Sequence, residues 1–463
     1  MKLTKCILIL ISVLCFPVLS DAQKQTPPAG GTPKDFTLPS KKEFTLDNGM
    51  GATLVQYGAL PKTYIRVVIK TGNIDETADQ VWLADLTGEF LTEGTKTRTA
   101  KDIANQAADM GGEIGINTGL DQSFAAGEVL SEFAPKFIEL LADVVQNPSF
   151  PEKELERIKN NMLRDLSVQK TQPQPLAQDK FLKVIYGEHP YGRLFPTEAQ
   201  LKGYKLEQVQ EFFKTNYGAK RAHIYVVGKF NESAVESAIK KAFEKWSSGN
   251  DKTVNIPKIT SASGRNIYLI DRPGAPQSTL YIGLPVMDPS NPDYVKFVIM
   301  NNLLGGSFGS RITSNIRENK GYTYSPASQI SIKYRNAYWV EVADVTTKVT
   351  GASIKEILYE IDRLGNEPPK QEELDGIKNY AAGIFVLQNS ATFNIANQLS
   401  FLKFHGLPDS YLTNYVKNVY AVTPEDVTAI AKNSIKSNEL SIVIVGDIKE
   451  IRKQVEPYGK IIQ

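Results

Sequence analysis

Arg317 and Tyr324 stand seven residues apart in the second half of the chain. A guanidinium and a phenol are both hydrogen-bond donors. Donors poised at an oxygen that gains negative charge stabilise a transition state. By residue type alone the pair is structural as readily as chemical. A helical arginine is ordinarily solvated or salt-bridged, and a strand tyrosine is ordinarily half-buried. The surrounding run, NNLLGGSFGSRITSNIRENKGYTYS from Asn301 to Ser325, says how the two are held. Leu303 and Leu304 close an apolar helical run, and Gly305-Gly306 break it. Helix resumes near Ser307 to Ser310, with Ile312 and Ile316 on one face. Lys320 lies in the last turn, and Gly321 follows where a left-handed cap is wanted. Tyr322-Thr323-Tyr324 then starts an extended segment. Arg317 is therefore expected on the last turns of the second helix and Tyr324 on the strand that emerges.

The chain that carries this run has 463 residues, too many for one ordinary core, so two or more domains are expected. A net charge of +2, with lysine and arginine dispersed, gives no argument for a nucleic-acid or anionic-membrane partner, and none is expected. Lys2 and Lys5, the apolar run Cys6 to Leu19 and the small residues before Gln23 read as a signal peptide. Cleavage after Ala22 would export the protein, to the periplasm. Cys15 admits a lipoprotein reading, although Val13 and Leu14 are not the small residues that a lipidated cysteine follows. No other stretch suits a membrane span. Both cysteines, Cys6 and Cys15, leave with this segment, so the mature chain can form no disulfide and no thiolate metal site. Residues 23–40, rich in Pro, Gly and Thr, read as a flexible leader or an arm draped on a surface.

From Lys41 onward the pattern alternates. Phe44 to Met50 reads as strand, Asn-Gly turn, strand, and Thr63 to Thr71 as a second strand. Val81 to Glu93 and Thr99 to Met110 have helical spacing. Glu113 to Val129 suggests two strands, and Phe133 to Val145 and Glu152 to Gln169 two more helices. Leu206 to Tyr217 is helical, and Ala222 to Gly228 is a buried-type strand. The second half repeats this. At an offset of 218, Val209 meets Val427, Ile224 meets Ile442 and Gly228 meets Gly446. At 219, Leu155 meets Leu374 and Asn160 meets Asn379. Two segments keeping nearly one offset indicate a duplicated α+β unit of about 210 residues. The expected organisation is a signal peptide (1–22), leader (23–40), first domain (41–246), linker (247–263) and second domain (264–463). Each domain is expected to be an antiparallel-rich sheet packed with helices on one side.

The Arg317–Tyr324 run, the hairpin Leu46-Asp47-Asn48-Gly49, the turn Glu188-His189-Pro190-Tyr191-Gly192 and the duplication together resemble the insulinase–pitrilysin family of zinc peptidases, which includes the mitochondrial processing peptidases. The resemblance covers nearly all of the mature chain. It implies an α/β roll repeated in tandem, forming one half of a clam-shell. In that family an R-x(6)-Y pair reaches the active site, and Arg317 and Tyr324 match it. Active members also carry H-x-x-E-H on a helix, two His binding zinc and a Glu activating water. Here that helix is Trp82 to Phe90, and Gly94-Thr95 sets the register. Asp85 and Glu89 stand at the His positions and Gly88 at the catalytic Glu. The later carboxylate ligand falls at Met162 or Leu163. His189, His223 and His405 are the only histidines, are far apart, and read as structural. Asp85 and Glu89 share a helical face, which reads as a solvated or capped acidic pair before it reads as a hard-cation site.

The resemblance therefore implies a subunit with no zinc of its own, inactive alone. A homologous partner would bear the zinc, and the substrate would be an extended peptide. Arg317 and Tyr324 would be catalytic donors, and Gly305, Gly306 and Phe308 would shape the adjoining substrate loop. The other reading is an inactive scaffold or peptide-binding protein of the same fold. Nothing in the sequence forms a nucleophile elbow or a phosphate loop, since Gly305-Gly306-Ser307-Phe308-Gly309 lacks the lysine.

Overall fold

The computed structural model describes residues 36–258 and 264–462. The expected signal peptide, most of the expected leader and part of the expected linker lie outside them. The end of that leader, where described, is an arm on the surface: Phe36 packs edge-on against Phe385, ring centroids 5.2 Å apart.

Strand formers build two six-stranded sheets. The first half supplies β1 (Lys41–Thr45), β2 (Gly51–Gln56), β3 (Lys62–Ile69), β4 (Gly115–Thr118), β5 (Ser123–Leu130) and β6 (Ala222–Gly228). The second supplies β7 (Asn266–Asp271), β8 (Gln277–Val286), β9 (Ala327–Lys333), β10 (Asn336–Thr346), β11 (Ser441–Gly446) and β12 (Lys460–Ile462). Their orders, β1-β2-β6-β3-β5-β4 and β12-β7-β11-β8-β10-β9, superimpose place for place. In both, the late strand (β6 or β11) runs parallel to one neighbour and antiparallel to the other. Only the end place differs. The first strand of one half fills it antiparallel, and the last strand of the other fills it parallel. The duplication read from the sequence is thus a duplication of topology.

One face of each sheet carries its own helices. In the first half Phe137, Leu141, Phe90 and Ile239 close the core over Ile65, Val67 and Ile224. In the second, Phe297, Ile316 and Ile357 do so over Ile282, Ile442 and Trp339. Each sheet thus has its own helices on one side, as expected, and a helix of the opposite half covers the other face. The helix Pro173–Tyr186 leaves the first half and lays Ala177, Phe181 and Ile185 on Tyr338, Val340 and Val443 of the second sheet. The helix Thr392–His405 returns the favour, with Ile395, Ala396 and Leu399 on Val55, Val68, Tyr225 and Val227 of the first. A bare apolar sheet face would stay wetted, so each half covers the other's. Phe181 is fully buried, 5.4 Å from the Tyr338 ring, and a Cβ at Gly283 would lie 2.8 Å from its Cζ. Among the described residues no helix is long and apolar enough to cross a membrane.

Candidate functional site

The Arg317 seat is wound differently from what its sequence suggests. The helix Tyr294–Asn301 does not stop at the glycines: it widens into a π turn, Asn302–Gly306, that contains them. Gly305 is pressed to the sheet, where a Cβ would come within 2.7 Å of Ser328 Oγ and Glu341 Oε2. At Gly306 a Cβ would meet Asn301 Nδ2 at 2.4 Å. The glycines therefore serve close approach, and the break falls after them. Helix resumes at Arg311, later than expected, and Thr313–Asn319 is again π-helical. Such widened turns are frequent at functional sites.

That second segment is locked from beneath. Ile312 and Ile316 are fully buried, as their spacing predicts. Arg311 grips Glu373 with Nε and Nη2 at 2.8 and 2.9 Å. Asn315 Nδ2 donates to Glu360 at 2.8 Å and Glu356 at 3.1 Å. Gly321 takes φ 62°, and the Tyr322 amide donates back to the Ile316 carbonyl at 2.8 Å, the left-handed cap expected there. Beyond it the strand starts late. Thr323 makes a lone bridge to Val345 and donates its hydroxyl to the Asp344 carbonyl at 2.6 Å, and β9 begins only at Ala327. The backbone on either side of Tyr324 is thus anchored while its side chain is 82% exposed. Arg317 lies with its guanidinium 4.6 Å from the centre of the Phe308 ring and Nε 3.3 Å from Glu318. Phe308 is itself 68% exposed. The structure brings Arg317 and Phe308 together, and presents Tyr324 to solvent from the bend before β9 and not, as expected, from the strand itself.

Glu341 underlies the same turn and is not legible in the sequence. It sits on β10, fully buried, and neither carboxyl oxygen meets a donor among the described residues. Burial holds it well above the usual carboxylate range. Beside it, Asn301 Oδ1 accepts from Ser328 Oγ and Trp339 Nε1, both at 2.7 Å.

The helix Leu83–Phe90 carries Asp85, Gly88 and Glu89, and the residues there do not fit zinc. Asp85 Oδ2 accepts from Asn73 at 2.6 Å, and burial pushes its carboxyl up. Glu89 is pushed up by burial and by Glu93 and Asp85. A Cβ on Gly88 would lie 2.2 Å from Thr118 Oγ1 of β4, so a side chain at that place would require Thr118 to turn aside. Met162 is buried in the apolar core, with Leu163 packed at its edge. Among the described residues no three His, Cys, Asp or Glu side chains are grouped to hold a metal ion. Of the histidines, His189 Nδ1 accepts from the Tyr191 amide, His223 Nε2 lies 2.8 Å from Thr53 Oγ1, and His405 packs between Phe401 and Phe404.

Glu76 is a further residue that sequence reasoning missed. It reaches across a turn to accept from the Ala84 amide at 2.8 Å and the Trp82 amide at 3.2 Å, capping the helix Leu83–Phe90. Burial pushes its carboxyl up to about 8. That lies above an unfolded value of about 4.3, so stability is fully present below that pH and declines as pH rises toward 8. Glu76→Gln, which carries no charge, is expected to flatten this slope. Its thermal midpoint relative to the parent should rise steadily from pH 5 to pH 8. A difference that stays constant across that window would refute the assignment.

Residues 56–195 match the family profile described as insulinase (peptidase family M16), and residues 204–380 match that of the peptidase M16 inactive domain. The chain belongs to peptidase family M16. An uncharacterized zinc protease, YmxG, of Bacillus subtilis is 24% identical over 353 residues, covering 76% of this M16 chain and 85% of that protein. The non-peptidase homolog YmxG of Helicobacter pylori is 22% identical over 397 residues, covering 84% and 90%. The crystal structure of a peptidase M16 inactive domain from Pseudomonas fluorescens aligns with a TM-score of 0.79 at 26% identity, covering 88% of this chain and 98% of that one. The insulinase profile falls on the half that carries the zinc-motif helix, and the inactive-domain profile on a stretch that includes Arg317 and Tyr324. This is an M16 member of the non-catalytic type.

Proposed function

We propose that the protein is the non-zinc subunit of an exported two-subunit metallopeptidase, its domains spanning 41–246 and 264–463 and joined through 247–263. A homologous partner would hold the metal and its activated water. This chain's part is donation. Arg317 would engage the substrate backbone or the scissile carbonyl, and Tyr324 would give its phenolic proton in a hydrogen bond to the developing oxyanion. Gly305, Gly306 and Phe308 would shape the wall beside an extended peptide. The observation that carries this reading is a contrast within one chain. The zinc-motif positions are filled by Gly88 against Thr118 and by two acids, Asp85 held by Asn73 and Glu89 open to solvent, whereas Arg317, Phe308 and Tyr324 face outward on a braced seat. Export rests on the signal-peptide pattern of residues 1–22.

The second reading is a scaffold or peptide-binding protein of this fold. The ion pair of Arg317 with Glu318 favours it, because an arginine so engaged needs no substrate. Purification of the tagged protein from its native source separates the two. A near-stoichiometric partner with H-x-x-E-H and one zinc per pair is the expected result. A zinc-free homo-oligomer would overturn the subunit reading.

A further inference from the structure

A half-open cavity of about 260 Å³ lies where the two halves and the segment between them meet. Its cations come from four separate places. Lys70 follows β3, Lys252 belongs to the joining segment, Arg335 stands in the β9–β10 turn, and Lys403 is in the last turn of the helix Thr392–His405. Tyr334 and Phe404, ring centroids 5.1 Å apart, form an apolar wall.

The charges do not balance. Lys252 is paired with Asp75 at 2.6 Å, and Asp75 also meets Arg221 at 3.3 Å. Asp121, the one carboxylate in the lining, is already taken by the Tyr191 hydroxyl at 2.6 Å and lies beside Lys333. Lys70, Arg335 and Lys403 have no carboxylate within ion-pair distance among the described residues. Their field is felt nearby. Burial and then Lys403 hold the Lys70 ammonium below its usual range. Burial, with both lysines adding, holds His223 down to about 3. Like charges facing one another in a partly desolvated space destabilise a fold unless an anion joins them.

Arg335 is also placed at a conformational cost. Its φ is 53°, which side chains other than glycine or asparagine rarely adopt. Its guanidinium Nη2 lies 3.3 Å from where a Cβ of Gly406 would be, so the glycine that ends the helix makes room for it. The carbonyl end of that helix attracts a cation in its last turn. It gives no reason for Lys70, which comes from the other half.

We propose that this cavity binds a small polyvalent anion, with two or more anionic oxygens held by Lys70, Arg335 and Lys403 against the Tyr334–Phe404 wall. Phosphate and carboxylate groups share the required chemistry. Bound there, the anion ties β3 of one half to a turn and a helix end of the other.

The test is a thermal midpoint titration of the mature chain with pyrophosphate and, separately, citrate, at constant ionic strength set with chloride. A saturable rise with either probe is expected. Pyrophosphate alone would identify a phosphate site, and citrate alone a carboxylate site. Lys403→Met should weaken the apparent affinity at least tenfold, and without a probe it should melt at the parent's temperature or above, since a repulsion has gone. Arg335→Asn, which suits the left-handed turn, should fold as well as the parent and lose affinity likewise. No saturable rise with either probe would overturn the proposal. So would an equal rise in parent and variants, which would mean surface screening. A lowered midpoint in probe-free Lys403→Met, with affinity unchanged, would give the lysine to the helix end and overturn it as well.

Discussion

Arg317→Ala, measured in the proposed complex with a zinc-bearing partner, is expected to lower turnover by about 10²–10³-fold, the usual effect of losing one oxyanion donor. Tyr324→Phe is expected to do the same by removing a single oxygen. Neither change should disturb the fold. Tyr324 is largely exposed, and Arg317 touches Phe308 and Glu318 at the surface. Substitutions of that kind ordinarily cost under about 0.5 kcal/mol. Contacts that hold the seat, from Arg311 to Glu373 and from Asn315 to Glu360, are untouched. Assembly can be followed by size-exclusion chromatography beside the assay. The split between kcat and KM then locates the effect: a fall in kcat marks a donor acting in the transition state, and a rise in KM alone marks a peptide-binding contact. Unchanged turnover in an intact complex would remove both residues from catalysis.

Phe181→Ala is expected to be the most damaging single substitution in the body of the protein, costing about 3–5 kcal/mol. The ring is fully buried and reaches from a first-half helix into the second sheet, against Tyr281, Tyr338 and Gly283. The ring lies close against Gly283, which has no side chain of its own to move into the space. Urea unfolding of the protein measures the cost. A loss below about 1 kcal/mol would show that the helix Pro173–Tyr186 is not what holds the first half to the second.

Much of this architecture is legible in the sequence because it is written locally. The Asn48-Gly49 turn gives the first hairpin, with Gly49 at φ 94°. Thr99 caps its helix through Asp102, and the Leu83, Leu86 and Phe90 stripe is buried as its spacing requires. Near-constant offsets reveal the repeat. What fails to show depends on partners far along the chain. The helix Pro173–Tyr186 has a mixed pattern because one side meets its own half and the other meets β8 and β11. Gly305-Gly306 resemble a break until Ser328 and Glu341 are seen pressing on them. Glu76 caps a helix from beyond a turn, and Glu341 occupies a strand position whose alternation gives no hint of charge. In the candidate site, Arg317 and Tyr324 come from the motif; the widened turn and the Phe308 platform beneath Arg317 do not.

The reciprocal helices have a consequence for what counts as a folding unit. Each half, expressed alone, would present an uncovered apolar sheet face and a loose helix made to cover a sheet it lacks. Two copies of such a half could satisfy one another only by an isologous exchange, each lending its helix to the other. The present chain is that exchange made permanent within one polypeptide. Tethering replaces an encounter between molecules by an effective concentration of about millimolar order. It also frees the two halves to diverge, since a covalent pair need not stay identical to stay paired. One half could then lose a metal site while the other kept an arginine and a tyrosine.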